Sequence, residues 1–86
     1  MTNEIVHGVE INTDAHQIYF EIGGRPRLTT RRTVTICYDG EIEIDLDRDE
    51  TSSAVFIEAD EFGKICDIRA AFMAAWAEKR GKTNIK

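Results

Sequence analysis

From Glu41 to Asp47 the chain sets a carboxylate at every odd position and a branched aliphatic at every even one. Glu41, Glu43, Asp45 and Asp47 alternate with Ile42, Ile44 and Leu46. A period of two is that of an extended chain, whose successive side chains point to opposite faces. The stretch therefore reads as a half-buried β-strand with an acidic outer row. Its carboxylates stand roughly 6.8 Å apart, at about 3.4 Å of rise per residue. Asp39 and Asp49 lengthen the row if the strand extends past its apolar core.

The turn that precedes this strand follows from register. Val34 and Ile36 alternate with Thr33, Thr35 and Cys37 in the strand before it. A two-residue loop of Asp39-Gly40 sets Ile36 opposite Glu43 and Val34 opposite Asp45, mixing core with carboxylate on one face. A three-residue loop, Tyr38-Asp39-Gly40 with Gly40 left-handed in a G1 bulge, instead pairs Ile36 with Ile42 and Val34 with Ile44. The longer loop is the expected one.

Upstream, Ile5, His7, Val9 and Ile11 alternate with Val6, Gly8 and Glu10, which predicts a first strand. Asn12-Thr13-Asp14 turns the chain through side-chain bonds to nearby backbone. A second strand follows, with Ile18, Phe20 and Ile22 inward and Gln17, Tyr19 and Glu21 outward, and the two are expected to form a hairpin. Gly23 to Thr30 has no periodicity, and its glycines and proline make it a loop carrying Arg25 and Arg27. Arg31 and Arg32 then enter the third strand.

Downstream, polar residues 48–53 lead to a short strand, Ala54 to Ile57, and then to a helix that starts near Ala59 or Asp60. Asp60 or Glu58 is placed to cap it, and early acids suit the positive end of its dipole. Gly81 is the expected stop. At 100° per residue, Phe62, Ile65, Cys66, Phe72, Met73 and Trp76 form the stripe expected on the sheet, with Arg69 in its middle. The fold class is α+β: a small antiparallel β-meander of about five strands in one sheet, with one C-terminal helix packed on one face. Residues 1–81 form a single domain and 82–86 a basic, disordered tail.

Sixteen acids against eleven bases, a net charge of −5, argue against bulk binding of nucleic acid or anionic membrane. The charge is segregated, however. Residues 39–61 hold ten acids and Arg48 as their one base, while 23–32 hold four arginines and no acid. Cys37 and Cys66 match no zinc or redox spacing, and no leader or membrane-spanning apolar run is visible, so a reduced, cytoplasmic chain is expected.

Two readings of the acidic row are open: a solvated face that discourages edge pairing, or an interaction surface. On the second, Glu41, Glu43, Asp45, Asp47 and Asp49 bind a protein partner with a basic surface. Asp45-x-Asp47-x-Asp49 copies the start of a calcium loop, but Glu50 and Phe56 stand where the glycine and the bidentate glutamate belong. No metal or other cofactor is expected. Arg25, Arg27, Arg31 and Arg32, with Tyr19 as a stacking face, form an alternative nucleic-acid site. His7 and His16 lack a spaced acid and nucleophile, so an enzyme is not expected. A homodimer is compatible with this surface chemistry.

The meander followed by Val55-Phe56-Ile57-Glu58-Ala59-Asp60-Glu61-Phe62 entering a terminal helix resembles, over about the last fifty residues, the PC4-type single-stranded DNA binding fold. That resemblance is one of topology and implies a basic sheet face, where this chain carries an acidic strand. Small size, acidity and freedom from motifs also resemble phage-encoded inhibitors, anti-CRISPR proteins among them, which implies an inhibitor or nucleic-acid mimic.

Overall fold

The computed structural model describes residues 3–24, 29–46 and 57–84. Its central unit is a three-stranded antiparallel sheet of β3 (Gln17–Gly24), β4 (Thr29–Cys37) and β5 (Ile42–Leu46), in the order β3-β4-β5. A separate ribbon of β1 (Ile5–Val6) and β2 (Val9–Glu10) precedes it, and helix α1 (Ala59–Asn84) follows. The architecture is α+β, and no described helix is long and apolar enough to cross a membrane.

The β4–β5 register is the expected one, with Ile36 opposite Ile42 and Val34 opposite Ile44. The loop closes as a three-residue turn: Gly40 N–H donates to the Cys37 carbonyl at 2.9 Å, and Cys37 N–H to the Glu41 carbonyl at 2.9 Å. Gly40 has φ 96°, in the left-handed region that suits a residue without a Cβ. In β3, Ile18, Phe20 and Ile22 are buried and Gln17, Tyr19 and Glu21 exposed, as their alternation requires. The Asp14 N–H bonds to Asn12 Oδ1 at 2.8 Å, which closes the expected Asx turn.

The amino-terminal strand is not continuous. The chain reverses at His7 and Gly8, with φ of 50° and 80°, so that Ile5 faces Glu10 and Val6 faces Val9. Two successive positive φ values make the tight turn that fits the twist of a hairpin. The expected single strand from Ile5 to Ile11 is therefore a ribbon paired with itself, and no hairpin with β3 forms. The strand expected at Ala54 to Ile57 lies outside the described residues up to Phe56, and Ile57 belongs to no strand.

Helix α1 begins in a capping box. Glu61 Oε1 accepts the Glu58 N–H at 3.0 Å, and Phe62 N–H donates to the Glu58 carbonyl at 2.9 Å. The helix continues through Gly81 to Asn84, because that glycine keeps a helical backbone and no adjoining proline breaks it. The buried face is Glu61, Ile65, Ile68 and Phe72, spaced four, three and four residues. This face is turned about 70° from the expected stripe, at 100° per residue. Phe62, 60% exposed, and Cys66 fall outside it. The turn brings Glu61 over the sheet, where it meets Arg32. Ile11, the inward residues of β3, Val34 and Ile36 complete the core, and Ile44 and Trp76 pack at its margin.

Candidate interaction surface

The sheet has one face under α1 and another directed away from it. Alternation sets Gln17, Tyr19 and Glu21 of β3, Arg31, Thr33, Thr35 and Cys37 of β4, and Glu43 and Asp45 of β5 on the outer face, with Glu41 at the start of β5. Cross-strand rows run Tyr19–Thr35–Glu43 and Glu21–Thr33–Asp45. Glu41, Glu43 and Asp45 are all exposed, and their neighbours on β4 are hydroxyls and a thiol rather than cations. Asp47 and Asp49 lie outside the described residues.

The hairpin that carries the row is fixed to the helix. Arg69 Nε donates to the Gly40 carbonyl at 2.7 Å, so the guanidinium within the helix stripe is used at the turn. A Cβ on Gly40 would lie 2.7 Å from Arg69 Nη2 and 2.8 Å from Met73 Sδ, so the ends of these two flexible side chains would have to shift, while the positive φ is the firmer reason for glycine. Asp39 Oδ1 accepts the Glu41 N–H at 3.1 Å and shapes the entry to β5. Tyr38 packs on His16 and Trp76, with ring centroids 5.4 and 5.3 Å away. Lys79 holds its ammonium 4.8 Å from the Trp76 ring and donates to the Thr13 carbonyl at 2.6 Å. The turn before the row thus packs on an aromatic cluster of His16, Tyr38 and Trp76.

The field of the row registers at Cys37. Partial loss of hydration, and then Asp39, Glu41 and Glu43, push its thiol above the ordinary 9.0. Cys37, Asp39 and Glu41 bring their donor atoms within 4.8 Å of one another. Cys37 is half-buried in this trio and both acids are exposed.

The four arginines have different fates. Arg25 and Arg27 lie outside the described residues. Arg31 is exposed on the outer face, 3.7 Å from Glu21. Arg32 points inward and pairs with Glu61 at 3.0 Å, the two side chains 2% and 5% exposed. Tyr19 is 71% exposed, on the same face as Arg31. Against the expectation that His7 has no acid partner, its Nε2 lies 2.8 Å from Asp67 Oδ2, sixty residues on, which ties the β1–β2 ribbon to α1, and His16 stacks on Trp76. Comparison with protein-family models, curated proteins and solved structures returns no match.

Proposed function

We propose that the protein is a non-enzymatic interaction module whose carboxylate row engages a basic site on a nucleic-acid-handling protein, as an inhibitor or partial mimic of a nucleic-acid backbone. One observation carries this reading: Glu41, Glu43 and Asp45 stand exposed in line on the sheet face away from α1, beside no cation of β4. Charges about 6.8 Å apart have half the line density of one nucleic-acid strand, at about 3.4 Å per phosphate. An arginine-lined groove built for phosphates accepts such a row in register with every second site. The net charge of −5 adds long-range attraction to a cationic partner.

The reading through the arginine loop draws less support. A phosphate cannot reach Arg32 without breaking its interior pair with Glu61, and Arg31 is already beside a carboxylate. Calorimetric titration with a short arginine-rich peptide, with a single-stranded oligonucleotide in parallel, tests both. The row reading expects the peptide to bind and its affinity to fall steeply with salt, while the oligonucleotide does not bind. Glu41→Gln/Glu43→Gln/Asp45→Asn should abolish peptide binding. A control that neutralises Glu4, Asp14 and Glu78 should retain it. Equal loss in both variants would reduce the effect to net charge and overturn the reading.

A further inference from the structure

Among the described residues β3 is an edge strand of the three-stranded sheet, with no described strand beside its outer side. Tyr38 N–H donates to the His16 carbonyl at 2.8 Å, so on this ladder the even-numbered residues of β3 bond to β4. By the antiparallel alternation, the N–H and C=O groups of Gln17, Tyr19 and Glu21 point off the sheet. An open edge carrying a large exposed aromatic is a template for another strand. A hollow of about 480 Å³ is lined by Gly8, Val9 and Glu10 of the ribbon together with Gln17 to Phe20 of β3.

We infer that β3 pairs with β3 of a second copy of this chain, antiparallel about a two-fold axis at Tyr19. The stretch Gln17-Ile18-Tyr19-Phe20-Glu21 is apolar or aromatic at its three central positions and has an amide at one end and a carboxylate at the other, so it can complement itself when reversed. Centred on Tyr19, it sets tyrosine beside tyrosine, Ile18 beside Phe20 of the second copy, and Gln17 beside Glu21 of the second copy. The amide of Gln17 donates to that carboxylate, and aromatic cross-strand pairs are favourable. Gly23, with φ 81°, interrupts the ladder after Ile22, so the regular edge, Gln17 to Ile22, extends one residue past this segment. An isologous contact of this kind closes on itself and does not propagate.

The opposite edge shows why β3 is the one used. Two copies of β5 paired about any of its central residues set Glu41, Glu43 and Asp45 against carboxylates of the second copy, which repel. The acidic row thus guards β5, while β3 carries no like-charge conflict. In the dimer β5 of each copy lies at an outer edge, roughly 24 Å from the other across five strand spacings of about 4.8 Å. Both rows stay accessible, and the dimer does not depend on what they bind.

Sedimentation equilibrium of the full chain tests this contact, with circular dichroism melts to establish that each variant folds. The wild-type mass should approach twice that of the chain as concentration rises. Gln17→Glu creates two carboxylate–carboxylate oppositions and should raise the dimer dissociation constant by about two- to thirtyfold. Adding Glu21→Gln to it restores one amide and one carboxylate per pair and should return the constant to near wild type. A chain that stays monomeric up to its solubility limit overturns the inference, as does a dimer indifferent to Gln17→Glu or unrescued by the double variant.

Discussion

Arg32 Nη2 and Glu61 Oε2 meet at 3.0 Å beneath the helix, at 2% and 5% exposure, and join the centre of the sheet to the first turn of α1. The same carboxylate caps the helix through the Glu58 N–H. Removing one charge leaves the other interior and uncompensated, at a typical cost of about 3–5 kcal/mol. Arg32→Met should therefore lower the urea midpoint sharply. Arg32→Met/Glu61→Gln should recover part of that loss despite carrying two changes, because no lone charge remains. A double variant less stable than Arg32→Met would refute the pairing.

The glycines separate by environment. Gly40→Ala meets a positive φ together with Arg69 and Met73, and should destabilise by about 1–3 kcal/mol. Gly63 and Gly81 lie within α1, where a Cβ would meet nothing within 4 Å. Alanine at each should raise stability by about 0.5–1 kcal/mol. Thermal melts of the three variants give the order directly.

The seating of α1 is tested by its aromatic residues. Phe72 is fully buried, and Phe72→Ala should cost about 3–5 kcal/mol. Trp76→Ala should cost less, since its ring lies at the margin and its buried Nε1 has no hydrogen-bond acceptor among the described residues. Phe62→Ala should change stability by under about 0.5 kcal/mol, as for most surface substitutions. A large loss at Phe62 in denaturant titrations would return the helix to the other stripe.

Cys37 serves as a built-in probe of the row. Its thiol is raised by lost hydration and then by Asp39, Glu41 and Glu43, so Glu43→Gln should speed its alkylation by iodoacetamide at fixed pH, with Cys66 as internal reference. The unfolded thiol, near 9.0, loses its proton before the folded one, and deprotonation then favours unfolding. Stability should accordingly fall as pH rises above about 9, and Cys37→Ser should flatten that fall. An alkylation rate indifferent to Glu43→Gln would mean that the row exerts no field there.

Features set by local pattern were legible in the residues. Alternation on both sides of Tyr38-Asp39-Gly40 allowed one register, and the inward face of β3 followed from Ile18, Phe20 and Ile22. The amino-terminal ribbon was hidden because Ile5, His7, Val9 and Ile11 alternate as a longer strand would, while the reversal depends on backbone angles at His7 and Gly8. The turn of α1 was hidden because an apolar count gives Glu61 no inward weight. Its burial follows only from Arg32, twenty-nine residues earlier. Arg69 posed the same problem, since its acceptor, the Gly40 carbonyl, is equally remote in the chain.

Amide chemical-shift mapping of the arginine-rich peptide on the isotope-labelled protein tests the proposed surface most directly. Shifts should concentrate at Glu41 to Asp45 and at Thr33 and Thr35 beside them, fade as salt is raised, and be lost in Glu41→Gln/Glu43→Gln/Asp45→Asn. That variant should be at least as stable as wild type, because like charges in a row repel and no described contact requires all three. Shifts spread evenly over acidic residues around the molecule, or centred away from β5 and unchanged in the triple variant, would contradict it.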